Sequence, residues 1–364
     1  MAILKRVPIM SSKGFSGPFW PDTKSLIERQ VVTPIISNFT TAALFGDDPD
    51  AVAKLWVEQE PLLNEDEHPD MARVAQFVSV KKSRRDTKHD YLRVIQEMLL
   101  SIALEDSELD DQKRNDLITN PEAIGRQSVS EFVRELGYPR VADPNQDPLR
   151  LLAELPLPLY ITTSHHDFLE HALSKAAGAK QPVSEILYWD QSLENITSIY
   201  DREPDYKPDV NRPLVYHLFG RDKYPESLVL TEDDYLDWLV KLSELPAQVN
   251  VSSIQSKARH VPPVVRTALS THALLILGFG VYTWDFRVLF RGLILGLGGS
   301  RSSNTNVPHG ICMQLDPKRG NGDMLQHLRE HFETYFRKSN FNVFWGDEKQ
   351  CVTALTAQWK GGTR

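Results

Sequence analysis

Apolar residues along this chain fall into two patterns. Short runs rich in Val, Ile and Leu occur at Val32–Ser37, Leu157–Thr163, Ile186–Trp189, Leu214–Leu218, Leu228–Thr231, Leu274–Phe279, Gly310–Leu315 and Asn342–Trp345. Runs of this length that stay apolar at successive positions mark strands buried on both faces. Between many of them lie amphipathic segments of helical length: Asp167–Ala177, Asp233–Ser243, Trp284–Leu293, Asp323–Lys338 and Glu348–Lys360. The alternation predicts an α/β fold of the doubly wound, Rossmann-like class, a mostly parallel sheet with helices on both faces.

One region departs from that rhythm. From Ala51 to about Phe132 the apolar residues recur at helical spacing, as in Met71, Val74, Phe77 and Val78 and then Leu92, Val94, Ile95, Met98 and Leu99. This predicts a helical subdomain over about 51–150, inserted early in a single domain spanning 1–364 whose main part is 151–364 together with 30–40. A polar loop, Asp143–Pro148, is expected to lead back into the sheet. The charge run Lys81–Arg85 reads as solvated surface, and the glycine-serine stretch Gly296–Ser303 as a mobile loop.

Composition narrows the function classes. With 41 Lys+Arg against 49 Asp+Glu the formal charge is −8, the wrong sign for neutralising phosphates, so no direct nucleic-acid binding is expected. Hydrophobic residues at 41% and charged residues at 25% are ordinary soluble usage. The longest oily region, Ala273–Gly299, is broken by Asp285, Arg287 and Arg291, so no membrane association is expected. Met1–Met10 lacks the continuous apolar core of a signal peptide. The only cysteines are Cys312 and Cys351, too few for a four-cysteine zinc module or a disulfide framework, which fits a reducing cytoplasm and no metal.

Open α/β sheets bind ligands at the carboxyl ends of their strands, and four such places carry polar residues. After Val32–Ile36 come Ser37, Asn38, Thr40 and Thr41, hydroxyl and amide groups where a dinucleotide fold would place glycines. After Leu159–Ile161 come Thr163, Ser164, His165, His166 and Asp167; Ser164 or Thr163 is a natural helix N-cap with Asp167 in the first turn. The paired histidines suit a general base or acid. In the third run His217 and Phe219 share one face by strand alternation, and Gly220 permits a tight exit. In the fourth, Gly278 and Gly280 allow close backbone approach to a nucleotide, with Asp285 just beyond. Each has a plain structural reading too: a polar turn, a capped helix, a satisfied core histidine, close helix packing.

Taken in order, these segments resemble the SIR2-like proteins of bacteria, sirtuin relatives that act as NAD-consuming effectors in anti-phage immunity. The resemblance rests on Val32-Thr33-Pro34-Ile35-Ile36, Arg73-Val74-Ala75-Gln76-Phe77, Ile161-Thr162-Thr163 with Asp167 and Glu170, and Ser227-Leu228-Val229-Leu230-Thr231 before Asp234-Tyr235. Leu277-Gly278-Phe279-Gly280 before Trp284-Asp285-Phe286-Arg287-Val288-Leu289, Gln314-Leu315-Asp316-Pro317, Tyr335-Phe336 and Phe344-Trp345-Gly346 extend it. It implies NAD as ligand or substrate, held around Ser37, Asn38, Thr40, Thr163, Asp167, Gly278, Gly280 and Asp285, and a homo-oligomer or another defence-system subunit as partner.

The resemblance breaks at the chemical positions. Active members carry Thr-Thr-Asn where this chain has Thr162-Thr163-Ser164, and Leu-His-Gly where it has Leu218-Phe219-Gly220. Phenylalanine accepts no proton, and losing a placed acid–base group costs about 10²–10⁴ in rate. The expectation is therefore a catalytically impaired scaffold or regulatory subunit. The alternative is an active NAD glycohydrolase in which His165, His166 or His217 supplies the base.

Overall fold

A computed structural model describes residues 20–46, 48, 50–59, 70–120, 125–138, 143, 146–244, 261–280, 283–290, 310–315, 329–336 and 341–361. Among them seven strands form one sheet: β1 Val32–Ile36, β2 Leu159–Thr162, β3 Val183–Ile186, β4 Leu214–His217, β5 Ala273–Leu277, β6 Gly310–Leu315 and β7 Val343–Trp345. Their order is β3-β4-β2-β1-β5-β6-β7, and every pairing is parallel. The sheet is Rossmann-like and doubly wound. From β1 the chain moves to β2 on one side, and from β5 to β6 on the other, so β1 and β5 flank the topological switch point.

Side-chain alternation explains why the central strands are apolar throughout. Val32, Ile36, Tyr160, Val215, Leu275 and Leu277 pack into one buried cluster; Ile35, Leu159, Ile161, Leu214, Tyr216, Leu274 and Ile276 face the other. The first cluster also takes Trp56, Val74, Ile95, Leu99 and Phe132 from helices that lie between β1 and β2. The second takes Trp238, Leu242, Phe286, Phe290 and Phe336.

Those intervening helices are capped from sequence. Asp70 accepts from Ala72 and Arg73 at the start of Met71–Lys81, Ser83 accepts from Asp86 at the start of Arg84–Glu105, and Ser128 with Glu131 forms a capping box on Val129–Leu136. The polar stretch expected to be a loop up to Pro148 ends differently. Asp147 caps a further short helix, Pro148–Ala153, with proline in its first turn.

Two other expectations change. Leu228–Thr231 is not a strand: Asp234 accepts from the Leu230 and Thr231 amides, so the backbone is spent capping the helix Glu232–Glu244 instead of pairing. The edge strand β3 lies earlier than Ile186–Trp189, because Ser184 and Glu185 pair with β4 despite their polarity. The charge run Lys81–Arg85 is exposed surface as expected except at Arg84, which bonds Asp237 at 2.7 Å and lies 3.5 Å from Asp234, tying the intervening helices to Glu232–Glu244. Lys88 joins that tie, buried 3.2 Å from Asp234.

The segment 296–303 lies outside the described residues. The helix expected over 323–338 is seen over 329–336, and that expected to start at Trp284 runs Trp284–Val288. Among the described residues no helix is long and apolar enough to cross a membrane.

Candidate functional site

At the switch point the ends of β1 and β5 are packed together. Ser37 Oγ donates to the Gly278 carbonyl at 2.5 Å. The Gly278 N–H donates to Gln314 Oε1 at 2.7 Å, and Gln314 in turn donates to the Gly346 carbonyl. Gly278 has φ +81°, and a Cβ there would lie 2.4 Å from Ser37 Oγ and 2.5 Å from the Phe39 ring. Glycine is required here, but for contact with protein side chains. The amide that a phosphate oxygen would seek is already used. Gly280 accepts from the Thr283 N–H and hydroxyl. Asp285 lies on the helix Trp284–Val288, and its side chain is outside the described residues.

Asn38 heads the short helix Phe39–Leu44 without a side-chain cap. Its Oδ1 instead accepts from Thr41 Oγ1 and, at 3.2 Å, from Ser164 Oγ. Thr40 is buried beside them. The first and second sequence-predicted clusters therefore meet through Asn38 and Ser164. The short serine side chain is held by another loop and does not hang over a void.

The loop after β2 is buried and polar. Thr163, Ser164, His165 and His166 are all below 8% exposed. The helix that follows, Phe168–Lys175, has Asp167 itself at the N-cap position, with no side-chain cap bond. Neither Thr163 nor Ser164 caps it: the helix begins at Phe168, Ser164 Oγ accepts from the His166 N–H, and Asp167 pairs with Arg134 and Arg221. His165 lies edge-on to Tyr91 at 5.8 Å. Burial, reinforced by the neighbouring His166, lowers its pKa to about 3, so it is neutral.

His166 makes the most directed contact. Its Nδ1 lies 3.0 Å from Asp222 Oδ2, which also accepts from the Ser130 N–H at 2.7 Å and the Ser130 hydroxyl at 2.5 Å. Burial opposes ionisation of Asp222, but the bonds from His166 and Ser130 outweigh it and bring its pKa down to about 2. Several buried atoms around this dyad have no partner among the described residues: Thr163 Oγ1, His165 Nδ1, His166 Nε2 and Asp222 Oδ1.

His217 is committed elsewhere. Its Nδ1 donates to the Ser164 carbonyl at 2.9 Å, and its Nε2 lies 2.7 Å from Glu170 Oε1. Glu170 is also buried; desolvation is outweighed by His217, Arg221 and Ser184, which hold its pKa at about 2. With both ring nitrogens engaged, His217 has no lone pair to offer a substrate.

His217 and Phe219 do not share a face, contrary to the strand expectation. The strand ends at His217, and the chain then turns through Gly220 at φ +80°, where a Cβ would come within 2.1 Å of the Ser227 carbonyl. His217 points to the helix Phe168–Lys175, whereas Phe219 lies edge-on to Tyr235 at 5.3 Å and Trp238 at 5.4 Å. At 2% exposure its ring is core.

Sequence reading missed Asp222, Ser130 and Gln314. Asp222 sits in Arg221-Asp222-Lys223, which looks like a solvated charge cluster; its position two residues past the required Gly220 was the available signal. Ser130 and Gln314 act across 92 and 36 residues of chain, a separation no local pattern encodes. Among the described residues no group of three or more His, Cys, Asp or Glu is placed to hold a metal ion.

The sequence profile of the SIR2-like domain matches residues 158–343, from the start of β2 into β7. No curated protein matches the chain.

Proposed function

The chain belongs to the SIR2-like domain family, and on that premise we propose that it is a catalytically impaired member. It works as a scaffold or regulatory subunit of a cytoplasmic bacterial anti-phage assembly, as a homo-oligomer or with another defence subunit. NAD is the ligand expected of a SIR2-like domain. The residues at the switch point do not fit its pyrophosphate: Gln314 takes the Gly278 amide, and Ser37 and Phe39 fill the space against that glycine.

The observation that carries the reading is the fate of the substituted positions. Phe219 is sealed between Tyr235 and Trp238, and Ser164 is bonded to Asn38. Neither side chain supplies an acid or base to a reacting group. The test is incubation of purified protein with NAD while following nicotinamide release. No release above background is expected; sustained release abolished by His166→Ala in a folded protein would overturn the proposal.

One observation favours a second reading, an NAD glycohydrolase. His166 is oriented by Asp222 through Nδ1 and keeps an unpartnered Nε2, which is how an oriented general base is built. His165 and His217 are poorer candidates, one made a weak base by burial beside Tyr91, with its pKa at about 3, and the other bonded at both nitrogens. The same assay on His166→Ala separates the two readings.

A further inference from the structure

Away from the switch point, an open pocket of about 800 Å³ is lined chiefly by residues that follow the edge strand β3 and its neighbour β4. It is framed by the 3₁₀ turn Gln191–Asn195, the end of the short helix Ile199–Arg202, the turn Pro225–Ser227 and Arg85. Its volume falls within the ordinary range of small-molecule sites.

The lining has a consistent chemistry. Arg85 and Arg202 bring two guanidinium groups against one carboxylate, Glu226. Arg85 is loosely held, 4.0 Å from Glu226 with its side chain 72% exposed. The Arg202 side chain makes no hydrogen bond or ion pair among the described residues beyond a longer-range attraction to the neighbouring Glu203, and the side chains of Asn195 and Thr197 and the hydroxyl of Tyr224 make no hydrogen bond there either. Several arginines elsewhere on this acidic chain are matched, Arg84 by Asp237, Arg93 by Glu97, Arg134 by Asp167 and Arg212 by Glu203. A local surplus of positive charge with unused amide and hydroxyl groups around one concavity suits an anion that also carries hydroxyls.

We propose that this pocket binds a sugar phosphate, its phosphate between Arg85 and Arg202 and its hydroxyl-bearing body against Asn195, Thr197 and Tyr224. Guanidinium groups bind phosphate through paired, charge-assisted hydrogen bonds, and the aromatic ring of Tyr224 gives a flat wall for a sugar or base. Glu226 competes with the ligand for Arg85 and sets a threshold for occupancy. The site is separate from the packed switch point and does not depend on whether a dinucleotide binds there.

The experiment is calorimetric titration of the intact protein with ribose 5-phosphate, with adenosine 5′-monophosphate and, as the uncharged control, with ribose. Both phosphates are expected to bind and ribose not to. Tighter binding of the nucleotide identifies a nucleotide as the source, and equal binding a free sugar phosphate. Arg85→Gln with Arg202→Gln should weaken binding by about ten- to a hundredfold, the worth of one to two charge-assisted bonds, and Glu226→Gln should tighten it. Both arginines are surface groups, so an unchanged melting temperature certifies the variant's fold. Absence of binding by either phosphate, equal binding of ribose, or affinity unchanged in the double variant would overturn the proposal.

Discussion

Two buried polar clusters lie at the carboxyl ends of this sheet, and they are built in opposite ways. Between β1 and β5 the polar groups are mutually satisfied: Ser37 to Gly278, Gly278 to Gln314, Gln314 to Gly346. Between β2 and β4 the polar groups are just as buried, yet Thr163 Oγ1, His165 Nδ1, His166 Nε2 and Asp222 Oδ1 lack partners among the described residues. A buried polar atom favours having a partner by about 1–3 kcal/mol, so the second cluster keeps hydrogen-bonding capacity that the first has spent. At the switch point the polar groups are spent on one another. The unspent hydrogen-bonding capacity lies one strand over.

The two required glycines give the largest test of that difference. At Gly220 an added Cβ meets backbone, the Ser227 carbonyl at 2.1 Å, whereas at Gly278 it meets the movable ends of Ser37 and Phe39. Gly220→Ala is expected to cost about 4 kcal/mol, combining left-handed strain with overpacking. Gly278→Ala should cost about 2 kcal/mol from the same sources, partly relieved by Phe39→Leu. Chemical denaturation of the two variants checks the order, and equal costs would show that the switch-point packing is as rigid as the turn.

Asp222→Ala comes between them. It strips Ser130 and His166 of their shared acceptor and should cost about 3 kcal/mol. A loss below about 1 kcal/mol in the same denaturation would mean that water replaces the carboxylate, and that the β2–β4 cluster is wetter than its burial indicates.

Acid should also strike the β2–β4 side first. Folded protein keeps His165 neutral down to about pH 3, while the unfolded chain takes up that proton near pH 6.5. Unfolding therefore gains a proton between those values, and stability falls with pH by up to about 1.4 kcal/mol per unit from this group. Asp222 and Glu170, both held at about 2 when folded, add losses as pH drops from about 4.5 towards 2. His165→Leu should flatten the upper part of the profile and leave the lower part. The smallest effect is Ser37→Ala, which removes one buried bond and should cost about 1 kcal/mol.

The sheet was readable because burial on both faces writes itself into consecutive residues: β1, β2, β4, β6 and β7 lie within the predicted apolar runs, and β5 begins one residue before its own. The two exceptions have separate causes. Leu228–Thr231 has the composition of a strand but its amides are claimed by Asp234, and β3 pairs through Ser184 and Glu185 because an edge strand needs less apolar surface. Of the site, the sequence placed Ser37, Asn38, Ser164, His165, His166 and Gly278 at the right ends of the right strands. It could not say that His217 and Phe219 part company, since that turn depends on the close approach of Gly220 to a residue seven positions on. Nor could it assign Asp222, whose partners are Ser130 on a helix before β2 and His166 on the loop after it.

The turn that carries Asp222 closes on itself. The Val229 N–H bonds the Phe219 carbonyl, the Arg221 N–H bonds Ser227 Oγ, and the Asp222, Tyr224 and Ser227 amides bond His165, Arg221 and Tyr224. Amides shared this way open together, so hydrogen exchange along 221–229 is expected to proceed as one cooperative event. Tyr224 faces the arginine-lined pocket while Asp222 grips His166. Anything that detains Tyr224 thereby slows solvent access to the amide of Asp222, and two places that share no ligand come to share one opening rate.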